Sequence, residues 1–461
     1  MLIASLVIYV VVLLVTTALS YRRSPSLDDF VMAGRSVSLV PLLFTTWVAN
    51  FGGGAIVGWT GGFYRYGIDW VWLPLGFLLA LIFTNILATE KISDQHQFTL
   101  PDLLVVRYGE RLRRISSLLC MLVAFLAMGF QVLAFAAILL SLADIPLALG
   151  MVIATLIFMV TTAVGGLTGI IRTDVIQGAI ILVGMIAAAV VVLLQVGGPF
   201  QLWARLPAQY TDWGEFTRSG QAFGDGFSIF GAIATSQVLF QKIMAARDSK
   251  VARRMMWWLV PVFAGTYLVL AILGFSAHIL LGPGLTAEAV VGSLIKTRVP
   301  TVLAAILLAT LLGVITTTAN AVLLSIGANL GRDIYQPMAR RRNWPDRSVL
   351  VVRITVVVVA LLALGMALWV ADILRMMMVC FWIAGVVFLV PLYLGFLWKR
   401  GTATAAIASM VVGAVGVAAS AAVIDPARLH PTVIGSLSAV VVYVALSLRE
   451  SPAHQQVQEG G

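Results

Sequence analysis

Two short polar stretches, each inside a long apolar run, hold the residues with the most chemical reach. The first reads Thr45-Thr46-Trp47-Val48-Ala49-Asn50-Phe51-Gly52-Gly53-Gly54-Ala55-Ile56-Val57-Gly58. A glycine in a helix interior costs roughly 1 kcal/mol relative to alanine, so three in succession favour unwinding. Freed carbonyls at membrane depth are tolerated only where they line a cavity or bind something. The same glycines also suit close helix packing, because Gly54 and Gly58 form a GxxxG pair. The run by itself leaves both readings open.

The second stretch reads Val314-Ile315-Thr316-Thr317-Thr318-Ala319-Asn320. Positions 314, 317 and 318 are spaced i, i+3, i+4 and share one helix face. Threonine hydroxyls in helices turn back toward the carbonyl at i−3 or i−4, which brings Thr317 and Thr318 to the Val314 carbonyl. On an isolated helix this is idle back-bonding. Opposite an unwound segment with free carbonyls it becomes a cage of neutral oxygens suited to a hard monovalent cation. Thr316 lies about 100° around the helix from Thr317 and points away from that face.

Other chemistry is sparse. Ionisable groups are nearly absent from the apolar runs, which argues against a proton relay of buried Asp, Glu and His. Asp174, after Arg172-Thr173, is the exception; it suits a helix N-cap and an ion path equally. Cys120 and Cys380 lie inside apolar runs as buried thiols. His96, His278, His430 and His454 show no HExxH or CxxC pairing, so no metal other than a coupling ion is expected. With no nucleophile, base or metal constellation, an enzyme is a distant alternative.

The elements that must position these residues are membrane helices. Of 461 residues, 61% are hydrophobic and only 11% charged, a composition for which the lipid bilayer is the solvent. A crossing needs roughly 20 apolar residues, and about thirteen runs qualify: 2–20, 38–63, 68–88, 115–142, 146–168, 174–197, 223–246, 255–282, 299–330, 349–370, 372–397, 403–423 and 430–448. The first run is followed, not preceded, by basic residues (Arg22-Arg23), so it reads as a retained helix rather than a signal peptide. Loops on one side carry Lys91, Arg107, Arg111, Arg113, Arg114, Lys242, Arg247, Lys250, Arg253, Arg254, Arg340, Arg341 and Arg342, while the other side has few cations, such as Arg65, Arg205 and Arg375. This positive-inside bias places the N-terminus outside and the C-terminus in the cytoplasm. The net charge of +10 is therefore topological, spread over helix ends, and implies no nucleic-acid partner. Residues 198–222, with Trp203, Tyr210 and Trp213, read as an outer interfacial segment. Thr99-Leu100-Pro101-Asp102 is a helix start at the inner interface.

In chain order, Gly34-Arg35-Ser36, Gly61-Gly62-Phe63-Tyr64-Arg65-Tyr66-Gly67, Thr99-Leu100-Pro101-Asp102-Leu103, Arg107-Tyr108-Gly109, Gly165-Gly166-Leu167, Thr173-Asp174-Val175-Ile176-Gln177, Asp333-Ile334-Tyr335 and Trp398-Lys399-Arg400-Gly401-Thr402 resemble the sodium:solute symporters. The resemblance spans nearly the whole chain. It implies an all-α LeuT-type fold with inverted five-helix repeats at 38–197 and 223–397, one helix in 1–37, the loop 198–222, and two more helices in 398–461. No internal sequence repeat is visible. It also implies a sodium ion held by the carbonyls of Val48, Phe51 and Val314 and the hydroxyls of Thr317 and Thr318, with Asp174 on the ion path. The solute would meet Asn50, Gly52, Gly53, Ala55, Gln131, Ser236 and Gln237.

Ala55, Pro74 and Phe77 stand where sugar-carrying members have polar groups, and Val238 stands near their gating tyrosine. A sugar would leave hydroxyls unpaired in such a pocket. The expected function is sodium-coupled symport of a small organic solute (a monocarboxylate, amino acid or vitamin-like molecule) across a bacterial inner membrane. A sodium-independent facilitator or sensor on the same fold is the alternative. The topology has a direct check: a cysteine placed near Trp213 should react with an impermeant reagent from outside and one near Arg341 only from inside, the reverse pattern overturning the orientation.

Overall fold

The computed structural model describes residues 35–449 and five residues at 9–11, 13 and 15, except 53, 96, 213, 215–219, 371 and 427 and the side chains of 54, 165–170, 172, 173 and 176. Most of the expected first span, together with Gly53 and Trp213, thus lies outside the described residues. Among those described, eleven helices are long and apolar enough to cross a membrane, with Leu39–Asn50 as a shorter apolar helix beside them. Large side chains such as Val183 (69% exposed) and Leu194 (73%) stand on the outside of the bundle, which only a lipid solvent makes inexpensive.

The first described crossing is broken. Helix α1 (Leu39–Asn50) ends at Phe51, and a π-helical turn (Gly54–Trp59) leads into α2 (Thr60–Tyr66). The chain then reverses at Gly67, whose φ of +66° and 2.6 Å approach to the Tyr210 backbone exclude a side chain. Reversal is required by geometry, because Trp59 and Phe77 of α3 (Trp72–Leu87) lie with ring centroids 6.2 Å apart despite 18 intervening steps of sequence. Helix α4 (Leu100–Tyr108) starts as its sequence predicts, with the Thr99 hydroxyl accepting from the Asp102 amide at 3.1 Å and proline in the first turn. Helix α5 (Arg111–Ala143) follows.

Helical backbone runs through Leu147–Val196 (α6), where two spans with a break near residue 170 are expected. A straight helix of that length would be about 75 Å long, far more than a bilayer core. Contacts with α11 (Thr301–Ala328) show that it folds back instead. Thr161 and Thr162 donate to Asn320 at 2.8 and 2.9 Å, and Thr317, one turn away on α11, donates to Gln177 at 3.1 Å. Its two ends come to one place, the last turn of the helix Ala287–Arg298: Lys296 bonds Asp144, three residues before the start of α6, at 2.7 Å, and Gln195 donates to the Arg298 carbonyl at 2.7 Å. Two spans, Leu147–Val164 and Gln177–Val196, are therefore present, as the sequence leads one to expect.

A second crossing is also interrupted, which the sequence reading does not anticipate. Helix α7 (Gln221–Ala234) stops at Thr235, and α8 (Gln237–Met244) restarts with Ser236 as N-cap, its hydroxyl accepting from Leu239 N at 3.3 Å. Three polar residues in succession, Thr235-Ser236-Gln237, are the only local signal. Helices α9 (Ser249–Leu281) and α10 (Ala287–Arg298) precede α11, which is buried on every side from Leu307 to Ala328 apart from Ala309. Helices α12 (Ser348–Trp369), α13 (Ile373–Val387), α14 (Ala403–Val423) and α15 (Pro431–Arg449) complete the bundle.

On the basic face, the cations of the topological signal also hold structure. Arg107 donates to the Gly395, Trp398 and Lys399 carbonyls at 2.9, 3.3 and 2.8 Å, satisfying helix-end groups that hydrocarbon would leave bare. Arg113 pairs with Asp102, with Glu110 at 2.7 Å and with Asp333 at 3.2 Å, while Thr99 donates to Asp333 at 3.1 Å. This cluster staples α4, α5 and the π turn Asn329–Tyr335 together.

Candidate functional site

The α1 break meets α11 at one point. At Phe51 the backbone leaves helical geometry (φ −104°, ψ 22°), and the Val48 carbonyl accepts from the Phe51 amide at 3.2 Å. The same carbonyl accepts the Thr318 hydroxyl at 3.1 Å, and that hydroxyl lies 3.2 Å from the Val314 carbonyl. Three neutral oxygens from two elements thus converge. Gly52 makes the approach possible, because a Cβ there would stand 2.4 Å from Thr318 Oγ1. Cavity lining and close packing, alternatives in the sequence, coincide at this glycine.

Phe51 is buried, its ring stacked on Trp47 with centroids 5.5 Å apart. Thr317 is set slightly apart from the other three, its hydroxyl turned to Gln177 Oε1. Thr316 points away, bonded to the Leu312 carbonyl at 2.7 Å and accepting from the Tyr9 hydroxyl at 2.8 Å. It is therefore not idle, since it ties Tyr9 to α11.

Asp174 is fully buried. Its carboxylate accepts from Thr45 rather than from its own backbone, which removes the helix-capping role. Thr45 in turn accepts from the Lys242 ammonium at 2.7 Å. Lys242, Thr45 and Gln177 are the site residues that sequence reasoning missed. Lys242 reads there as an inner-loop cation, although its position in the apolar Val238-Leu239-Phe240 helix was a usable signal.

Beside the oxygen cluster lies a cavity of about 1040 Å³, its mouth included. Asn50, Gly52, Ala55, Gln131, Ser236, Gln237 and Thr318 all line it. Every described solute candidate therefore reaches one space; Gly53 lies outside the described residues. Two of them also hold structure, Ser236 as the α8 cap and Asn50 by donating to the Thr46 carbonyl at 2.9 Å. Gln237 donates to Asn329 Oδ1 at 2.8 Å, leaving its buried Oε1 without a partner. The remaining wall is mostly apolar and aromatic, including Phe77, Phe130, Phe381 and Phe388, with Val238 at the α8 end. Pro74 is buried in α3 but is not part of that wall. Among the described residues no charged side chain lines the space. It runs from Trp59 and Phe77 to Leu100, Cys120 and Ser325 on the basic half of the bundle. At the opposite end Trp59 stacks on Tyr267 at 4.4 Å and Phe77 packs on Phe263 at 4.5 Å. Among the described residues no group of three or more His, Cys, Asp or Glu is placed to hold a metal.

Residues 30–413 match the model of the sodium:solute symporter family. The chain is 30% identical to the sodium/pantothenate symporter of Escherichia coli K12, over 95% of this chain and 94% of that protein. It is 26% identical to the high-affinity proline transporter PutP of Bacillus subtilis 168, over 86% and 87%. The structure superposes on that of a substrate-bound, outward-open Na⁺-coupled sialic acid symporter with a TM-score of 0.84 at 18% identity, covering 98% of both chains. It also superposes on the nucleobase-cation-symport transporter Mhp1 with a TM-score of 0.61 at 15% identity, over 93% and 98%. The bundle therefore has the LeuT-type fold expected from the sequence.

The Gly52–Thr318 contact is open to test by adding a single methyl. Gly52→Ala should displace Thr318, lowering both thermal stability and uptake, since overpacking of this kind costs about 1–3 kcal/mol. Gly265→Ala, on α9 with nothing within 4 Å of the added Cβ, should melt at or above wild type. Equal melting temperatures for the two variants would show that α1 and α11 do not need this approach.

Proposed function

We propose that this chain, which belongs to the sodium:solute symporter family, holds its coupling sodium where the α1 break meets α11 and carries its solute in the adjoining cavity. The chain is a secondary active transporter that couples sodium entry to uptake of a small organic solute, and it is not an enzyme. The observation that carries the site assignment is the convergence of the Thr318 hydroxyl on the Val48 and Val314 carbonyls at the edge of that cavity. The Phe51 carbonyl and the Thr317 hydroxyl complete the cage, the hydroxyl by turning away from Gln177. Such a site selects a hard monovalent cation by offering neutral oxygens in place of water.

The repeats are assigned to residues 38–197 and 223–397. In support, each opens with an interrupted helix, α1/α2 in the first and α7/α8 in the second. The basic half of the bundle is assigned to the cytoplasm and the membrane to a bacterial cell, in keeping with the bacterial relatives.

The cavity wall favours a solute with one polar end and an apolar body. Gln237, with its unpartnered Oε1, Asn50, Gln131 and the N-terminus of α8 address the polar end, and the phenylalanines address the body. With no cationic side chain in the wall among the described residues, a carboxylate would be balanced by the helix terminus and by the sodium itself. Proline, named for one of the relatives, fits this description; pantothenate, named for another, brings two hydroxyls and an amide besides its carboxylate, still fewer polar groups than a sugar, which would leave hydroxyls unpaired.

Labelled pantothenate, proline, other monocarboxylates and glucose should be compared in proteoliposomes under an inward sodium gradient and with choline in place of sodium. At least one carboxylate should accumulate only with sodium, and glucose should not; carboxylate flux unchanged in choline would favour a facilitator. For the ion site, Thr318→Ala should raise the sodium concentration for half-maximal uptake about tenfold, corresponding to a lost contact of about 1.4 kcal/mol. Thr318→Ser, which keeps the hydroxyl, should stay near wild type. Sodium dependence indifferent to both changes would remove the cage.

A further inference from the structure

A buried carboxylate in a membrane bundle must be balanced by a cation, either a mobile one or one attached to the protein. Asp174 is fully buried, and one of its oxygens, Oδ1, has no hydrogen-bond partner. Lys242, 1% exposed, is among the largest fully buried side chains of the molecule. Its ammonium donates to Thr45 at 2.7 Å, and Thr45 donates to Asp174. Among the described charged groups, Lys242 is the one that acts on Asp174, and Asp174 is the one that acts on Lys242. The two reach each other from different elements, α6 and the half-helix α8, across the first half-helix α1.

We propose that Lys242 is a tethered cation that takes the place of a second coupling ion at Asp174, so that each transport cycle carries a single sodium. The inference rests on the oxygen cage as the sodium site. Gln177, one turn beyond Asp174, bonds Thr317 of that cage, so a second mobile cation at Asp174 would sit close to the first. A covalently held ammonium supplies the charge without that repulsion and without a dehydration step in every cycle. Because its tether is α8, the charge balance of Asp174 also depends on where α8 stands, which makes Lys242 a positioning residue for that half-helix.

The test is saturation binding of radioactive sodium to the purified full chain, with no solute present. Wild type should bind one ion per chain. Lys242→Met leaves Asp174 unbalanced and should bind two, Lys242→Arg should bind one, and Lys242→Met with Asp174→Asn should return to one. Elution on size exclusion checks folding for each variant. Two sodium ions bound by wild type would overturn the proposal whether or not Lys242→Met folds, and so would a single ion bound by folded Lys242→Met. Thr318→Ala separates the two readings. If it leaves the wild-type sodium affinity unchanged instead of weakening it about tenfold, the cage assignment fails, whereas the difference in ion count between Lys242→Met and wild type still decides the role of Lys242.

Discussion

A backbone carbonyl or amide left without a partner in hydrocarbon costs several kcal/mol, and this one constraint organises the protein. Most of the chain meets it with continuous helix. At Phe51-Gly52 it does not, so α11 must be brought against the break to supply what the helix no longer does. The Thr318 hydroxyl on the Val48 carbonyl is that supply. Its reach explains why Gly52 has no room for a side chain and why α11 is buried from nearly every direction. A site made of helix ends and hydroxyls is neutral, and a neutral oxygen site suits a monovalent cation that must both bind and leave.

Charge inside the bundle obeys a companion rule. Asp174 and Lys242 are buried together with Thr45 between them. Asp102 and Asp333 are buried around Arg113, which is itself partly exposed. Neither cluster lies in the wall of the cavity, which is left to amides, hydroxyls and aromatic rings. The division lets the cavity be shaped by apolar contact while Asp174 and the basic face keep their charges satisfied elsewhere. It also favours a solute that brings few polar groups into the membrane.

Hydropathy and the placement of Lys and Arg were sufficient for the membrane class, for where most of the described spans lie and for the asymmetry of basic residues, because those follow from the cost of moving side chains into lipid, residue by residue. The glycine run at 52–54 and the spacing of Val314, Thr317 and Thr318 were legible for a related reason: helix propensity and helix periodicity are local. Asn50, Gly52, Ala55, Gln131, Ser236 and Gln237 were named from resemblance, and the fold gathers all of them around one cavity.

What the sequence by itself determined is thus what local transfer and local backbone energy govern: most of the spans, the weak point in the helix at the glycine run and the shared face of the two threonines. Only the tertiary structure decided which partner each unsatisfied group found. It set Thr317 toward Gln177 and Thr318 toward Val48, turned Asp174 from a helix cap into an acceptor for Thr45, and drew Lys242 from an apparent loop cation into the core. It also ended α7 at Thr235, a break with no glycine run to announce it. These outcomes depend on groups more than a hundred residues apart in the chain, and the energy that selects them, the avoidance of unpaired polar atoms in a low-dielectric interior, exists only once the helices are assembled.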